Sequence, residues 1–252
     1  GNGCVKSIEL ALEDLPDMVP NMIVNAPSCF GFDNGAIGIN FVEGRPNSEL
    51  STFRFVWNTG QIGSNINNIV GDSTYTVTVT DTRGCSATAS RFVREPTQIT
   101  FEIETTPTTC PGGSNGTAIV TNVTSDNQDL VYQWDAGTGN QEGISASNLS
   151  AGVYQVTVTD AFNCFATAAG RVEEPEPIRA TFEVIDNACF GDQQGQATAT
   201  ITGGTPGYDL NWADGRIGET ITQLSAGTYR LNITDAEGCT ANSQVTVSHP
   251  PP

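Results

Sequence analysis

Apolar and polar residues alternate strictly in three stretches, Tyr75-Thr-Val-Thr-Val-Thr-Asp81, Tyr154-Gln-Val-Thr-Val-Thr-Asp160 and Tyr229-Arg-Leu-Asn-Ile-Thr-Asp235. A period of two sends successive side chains to opposite faces, so each stretch predicts a strand with one face in a core and the other in water. Behind each strand stands a short turn: Asp81-Thr-Arg-Gly84, Asp160-Ala-Phe-Asn163 or Asp235-Ala-Glu-Gly238. The leading Asp and the closing Gly or Asn supply the Asx bonding and the positive φ that a tight hairpin needs. A further strand is expected after each turn, and no segment has helical periodicity.

The pattern repeats as a whole. A tryptophan (Trp57, Trp134, Trp212) precedes the tyrosine (Tyr75, Tyr154, Tyr229) that opens each alternating strand, and a cysteine closes each turn. The turn cysteines Cys4, Cys85, Cys164 and Cys239 are spaced by 81, 79 and 75 residues, and Cys29, Cys110 and Cys189 each follow a turn cysteine by 25 residues. Self-similarity at a fixed period is the mark of tandem modules. Between Thr97 and Pro175, strands are predicted at 99–104, 117–123, 130–134, along the Tyr154 stretch and at 164–172. With short strands between them this makes about seven strands in roughly 80 residues, around one Trp and with one Tyr after a Gly corner. The fold class expected is all-β, with tandem immunoglobulin-like β-sandwich modules arranged end to end. Proline punctuation places these modules at 20–96, 97–176 and 177–252. Residues 1–19 read as the final strand of a preceding module, because Gly3-Cys4 stands where Gly84-Cys85 and Gly238-Cys239 stand, so the expectation is a segment of a longer array.

Composition narrows the function. Ten Lys plus Arg against 28 Asp plus Glu give a net charge of -18, which repels phosphate backbones and anionic lipid headgroups. Neither nucleic-acid binding nor membrane insertion is expected, for no stretch nears the roughly 20 apolar residues of a membrane-spanning helix and no signal peptide is visible. At 37% hydrophobic and 15% charged the chain has enough apolar surface to fold. The single histidine, His249, leaves little for acid-base chemistry or imidazole ligation, and no nucleophile triad is available. No enzyme and no cofactor are expected.

Without a Cys-x-x-Cys pair or a histidine partner, the cysteines point to disulfides in an oxidising compartment, hence an extracellular location. Two connectivities stand open. In a sandwich of this topology the first loop and the last turn lie at opposite ends, which favours bridges across the junctions, Cys29 with Cys164 and Cys110 with Cys239. Base rates favour pairing within a module, Cys29 with Cys85, Cys110 with Cys164 and Cys189 with Cys239, leaving the partner of Cys4 outside the fragment.

Other residues have structural and functional readings side by side. The tryptophans are expected in the core rather than as sugar platforms, and the tyrosines as corner residues whose hydroxyls bond back to the chain. Asp81, Asp160 and Asp235, with Glu95, Glu173, Glu174 and Glu176 near module ends, are candidate calcium ligands, although turn capping accounts for the aspartates and no Asp-x-Asp-x-Asp-Gly loop is present. Phe30, Phe162 and Phe190 are candidate exposed aromatics for a glycan. The sequons at Asn115, Asn122, Asn148 and Asn232 follow from Asn and Thr richness.

The ordered set of motifs resembles the SprB repeat, an immunoglobulin-like module of giant surface adhesins in Bacteroidota. It is fullest at Cys189-Phe-Gly-Asp, Gly203-Gly-Thr-Pro-Gly-Tyr208, Trp212, Leu224-Ser-Ala-Gly-Thr-Tyr229 and Thr234-Asp-Ala-Glu-Gly-Cys239. The second module lacks the Gly-Gly-Thr-Pro segment, and the first carries Val42-Glu-Gly-Arg-Pro46 there, with Asn68 to Tyr75 in place of the Leu-Ser-Ala-Gly corner. The resemblance implies a cell-surface filament exported by type IX secretion and, in gliding bacteria, moved along the cell as an adhesin. Asp72-Ser73-Thr74 resembles the O-glycosylation signal of the same phylum, with Ser73 as acceptor. The function expected is a structural stalk that extends an adhesive region from the cell. Its partners would be neighbouring modules of the same longer chain and a surface polysaccharide or substratum. The alternative is a set of carbohydrate-binding or spacer modules in a secreted hydrolase.

Overall fold

The computed structural model describes residues 16–44 and 50–251; Cys4 and all but the end of the strand expected over 1–19 lie outside the described residues. Among the described residues there are eighteen strands, two single-turn 3-10 segments and no α-helix. The chain is all-β and built of immunoglobulin-like sandwiches. It divides into two compact units, the first holding the described residues up to Ile99 with Thr124–Asp129 and Asp160–Cys164, the second holding the remainder.

In the first unit, β1 (Val19–Asn25), β2 (Gly35–Glu43) and β4 (Asn65–Ile69) form one antiparallel sheet in the order β1-β2-β4. Strands β3 (Arg54–Trp57), β5 (Ser73–Thr80) and β6 (Ser86–Val93) form the other, in the order β3-β5-β6. The alternation read in the sequence is the burial pattern of β5: Tyr75, Val77 and Val79 are buried, and the threonines between them turn outward. Ile37, Ile39 and Val42 of β2 meet Phe55 and Trp57 of β3 and Ile66 and Ile69 of β4 in one cluster.

The second unit holds the same design twice, save that the last residues of two of its strands, Thr124 and Asp160, are counted with the first. Its sheets are β10-β8-β7 and β12-β11-β9, from β7 (Thr100–Thr106), β8 (Gly116–Thr124), β9 (Leu130–Trp134), β10 (Ser145–Leu149), β11 (Gly152–Asp160) and β12 (Phe165–Val172). The other two are β13-β14-β16 and β15-β17-β18, from β13 (Arg179–Ile185), β14 (Gly195–Thr202), β15 (Asp209–Trp212), β16 (Thr220–Leu224), β17 (Gly227–Thr234) and β18 (Thr240–Val247). One core gathers Val120, Trp134, Leu149, Val156 and Val172, and another gathers Trp212, Leu224, Leu231, Ile233 and Val247.

Among the described residues each repeat has six strands, where about seven are expected. After the tryptophan strand the chain turns back and pairs with it over a single antiparallel bridge, too short to count as a seventh strand. The N–H of Trp57 donates to the carbonyl of Gln61, that of Trp134 to Gln141 and that of Trp212 to Arg216, with only single bridges (Val56 to Ile62, Gln133 to Glu142, Asn211 to Ile217) beside them. In the middle repeat Asp135 caps the 3-10 turn Ala136–Thr138 by accepting from the Gly137 N–H, and Gly139 ends it at a φ of 80°.

A glycine opens the second strand of every repeat because the facing chain leaves no room for a side chain. At Gly195 a Cβ would stand 2.6 Å from Val247 Cγ1 and 2.9 Å from the Leu224 carbonyl. Gly195→Ala should lower stability by about 1–3 kcal/mol through overpacking. At Gly227 a Cβ meets nothing within 4 Å, so Gly227→Ala should melt with the parent chain. Thermal unfolding of the pair checks this, and equal melting temperatures would contradict the packing argument.

Candidate functional site

The turn that ends the tyrosine strand is built identically three times. The Asp81 N–H donates to the Cys85 carbonyl at 2.9 Å, and the Asp81 side-chain Oδ1 accepts from the N–H groups of Arg83 and Cys85, both at 2.9 Å. Asp160 Oδ1 holds Phe162 and Cys164 in the same way, and Asp235 Oδ1 holds Glu237 and Cys239. Gly84, Asn163 and Gly238 take the left-handed position, at φ of 88°, 63° and 82°. The aspartates are thus committed to backbone amides. Among the described residues no three acidic, Cys or His side chains gather at metal-binding distance, so the geometry supports turn capping and lends nothing to calcium.

The other cysteines sit in a second recurring loop. The carbonyl of Cys29 accepts from the Phe32 N–H, that of Cys110 from Gly113 and that of Cys189 from Asp192. Asn34 and Asn115 clamp the first two loops, each accepting from a backbone N–H (Ser28, Thr109) and donating to the same residue's hydroxyl.

Within a repeat the loop and the turn are far apart. In the first, Cys85 precedes β6, whereas the Cys29 loop lies past its far end, where Gly31 N–H donates to Glu95 Oε1 at 2.8 Å. In the third, Cys239 precedes β18, while the chain before Cys189 bonds to Ser248 beyond it, through Asn187 N–H to the Ser248 carbonyl and Ser248 N–H to Asp186 Oδ1. An eight-residue strand spans about 26 Å, and a disulfide needs Cα atoms within about 7 Å. The pairing within a repeat is accordingly not formed. Cys29 is bonded to Cys164 and Cys110 to Cys239, each with a Cα separation of 5.5 Å. The first bridge lies wholly within the first unit and the second wholly within the second. Cys85 and Cys189 are unbridged and exposed.

Each bridge has company. Beside Cys29–Cys164, Asp126 accepts from the Thr97 N–H and hydroxyl, both at 2.7 Å, and pairs with the Arg94 guanidinium at 3.3 Å. The Thr97 bonds hold the Asp126 carboxyl below its usual range, with a smaller contribution from Arg94. A cleft of about 460 Å³, lined by Pro27, Pro96, Asp126, Phe162 and Cys164 among others, opens next to this bridge. Around Cys110–Cys239 lie Pro111, Pro177, Ile178 and Gly238. Gly112 N–H donates to Glu174 Oε2 at 2.6 Å, as Gly31 does to Glu95. The roles of Asp126, Arg94 and Thr97 had no sequence signal, since Asp126 belongs to no recurring motif.

The remaining candidates have plain positions. Trp57, Trp134 and Trp212 are 1–3% exposed, and each indole N–H donates to a glycine carbonyl, of Gly63, Gly143 and Gly218. Tyr75 and Tyr154 are buried and Tyr229 half-buried, with hydroxyls donating to the carbonyls of Val70, Ser150 and Ser225. Ser73 opens β5 and is half-buried. Phe30, Phe162 and Phe190 are exposed, each within two residues of a cysteine, and the Phe190 ring meets His249 edge-on at 4.8 Å. Glu173 pairs with Arg171 at 2.7 Å, and the Glu176 carbonyl accepts from the Gly204 N–H.

Residues 181–216 match the family model of the SprB repeat. No curated protein matches the chain in sequence. Among solved structures, it is similar to the three N-terminal domains of the highly immunogenic outer capsid protein (Hoc) of bacteriophage RB49, at 13% identity and a TM-score of 0.43, over 93% of this chain and 100% of that one. It is also similar to DIP-gamma IG1+IG2, at 12% identity and a TM-score of 0.30, over 61% of this chain and 98% of that one. A third similarity is to a Dscam isoform structure, at 11% identity and a TM-score of 0.26, over 91% and 72%.

Peptide mapping without reduction should recover Cys29 linked to Cys164 and Cys110 linked to Cys239, and a Cys110–Cys164 peptide would contradict the structure. Removing the first bridge by Cys29→Ser with Cys164→Ser should cost about 2–4 kcal/mol in thermal unfolding.

Asp235 gives a pH prediction. Asp235 is a buried residue whose carboxylate accepts chiefly from the Thr205 N–H, then from Cys239 and Glu237, and these bonds hold its carboxyl below the usual value against the opposing effect of burial. A carboxyl whose folded value is depressed contributes stability in full above the unfolded value of about 3.9 and loses it as pH falls through the folded value. The gap in melting temperature between the parent and Asp235→Asn should therefore be constant above about pH 5 and shrink below pH 4. A gap that widens in acid would refute this.

Proposed function

We propose that this chain is a non-catalytic, load-bearing stalk segment of a repetitive cell-surface adhesin of the gliding type, exported by type IX secretion. In this reading it extends an adhesive region toward a polysaccharide or substratum. Its SprB repeat at 181–216 and its tandem immunoglobulin-like sandwiches support a surface adhesin-like module.

The observation that carries the reading is the overlap of the two bridges. The loop closed by Cys29–Cys164 spans 135 residues and that closed by Cys110–Cys239 spans 129, and each contains one end of the other. Tension applied at the chain ends therefore has two covalent routes between Cys29 and Cys239. One crosses the first bridge and runs from Cys164 to Cys239; the other runs from Cys29 to Cys110 and crosses the second. Even with every sandwich unfolded, most of the chain between these points stays out of the path. Either bridge alone preserves nearly the same limit, which is redundancy suited to a tether.

Single-molecule pulling tests this. The reduced chain should extend about 450 Å further than the oxidised one, at roughly 3.4 Å per residue over the 135 residues released. Loss of one bridge, by Cys110→Ser with Cys239→Ser or by Cys29→Ser with Cys164→Ser, should change the limit by only about 20 Å or less. Equal extension of oxidised and reduced chains would overturn the load-bearing reading.

A further inference from the structure

Cys85 and Cys189 are of opposite kinds. Cys85 occupies the turn position, its N–H bonded to Asp81 Oδ1 at 2.9 Å, as that of Cys164 is to Asp160 at 2.9 Å and that of Cys239 to Asp235 at 2.8 Å. Cys189 occupies the loop position, its carbonyl accepting from the third residue on, as those of Cys29 and Cys110 do. All four equivalents are bridged, always a loop cysteine of one repeat to the turn cysteine of the next. The bridged cysteines are buried (Cys29, Cys239) or half-buried (Cys110, Cys164), whereas Cys85 and Cys189 are exposed.

We infer that Cys85 and Cys189 are two unfilled halves of the same inter-repeat disulfide. Cys189 accepts the turn cysteine of a further repeat of this kind, and Cys85 accepts a loop cysteine. The partner is defined by its chemistry, an Asx-turn thiol or a loop thiol on a like sandwich, and it comes from a repeat in tandem or from a second molecule. The interaction names a partner for the stalk, but it rests on the equivalence of the repeats, so the pulling result and this one fail independently.

Bridge formation needs a two-electron oxidant, supplied by a small-molecule disulfide of the glutathione type. The thiolate of one cysteine attacks it and releases one thiol. The second cysteine's thiolate then attacks the mixed disulfide and releases the other, so that one disulfide is reduced to two thiols as one is formed.

Two arms distinguish the sources, both in a Cys4→Ser background and in a glutathione redox buffer. In the first, a copy of residues 177–252 is appended to the full chain, and disulfide mapping reads whether Cys189 is joined to the added copy's counterpart of Cys239. In the second, full-length Cys85→Ser and Cys189→Ser chains are mixed, and non-reducing gels and mapping read the Cys189–Cys85 cross-link between them. The expected result is a loop-to-turn link in at least one arm, in the mixture at least tenfold above the self-links formed by either variant alone. The arm that gives it identifies the source. The inference is overturned if Cys189 stays open to alkylation in the extended chain and the mixture gives no excess of the mixed link over self-links.

Discussion

An eight-residue strand separates the two kinds of cysteine in the first and third repeats, and its length of about 26 Å is several times the reach of a disulfide. That mismatch forbids closure of a repeat upon itself and leaves the turn of one repeat and the loop of its neighbour as the places where sulfur can meet sulfur. The bond that staples many small secreted domains internally is here moved to the joins. The covalent topology of the molecule, with overlapping loops and unfilled halves of opposite kind, follows from where the strands end.

The sandwiches must then hold without an internal bridge. Each does so around one buried tryptophan whose only polar side-chain atom is spent on a glycine carbonyl. The tyrosine corner works the same way: a ring against the core and a hydroxyl returned to the chain a few residues upstream. Because small cores leave little margin, the buried Asp235 and the tightly faced Gly195 are sensitive points, and the staples act on the unfolded chain as much as on the folded one.

The strands were legible because a half-buried strand writes its geometry into the chain at period two, as in Tyr75 to Thr80. The turns were legible for a similar local reason, since Asp160 and Asn163 each do a job that few residues can do. Strand number was not. After each tryptophan the sequence is compatible with another short strand, and there the pairing extends over a single bridge only, Val56 with Ile62, Gln133 with Glu142 and Asn211 with Ile217. Asp126 was also invisible: its partners Thr97 and Arg94 lie about thirty residues away, and no repetition marks the contact.

The sequence by itself determined the all-β class, the recurrence of the design and the presence of two alternating kinds of cysteine, because these follow from side-chain period and spacing along the chain. It left two disulfide connectivities standing, since spacing does not say which ends of a sandwich face each other. The tertiary structure decided between them by bringing Cys29 to Cys164 and Cys110 to Cys239, each at a Cα separation of 5.5 Å. A disulfide answers to distance in space, and distance across a sandwich exists only once its strands have paired.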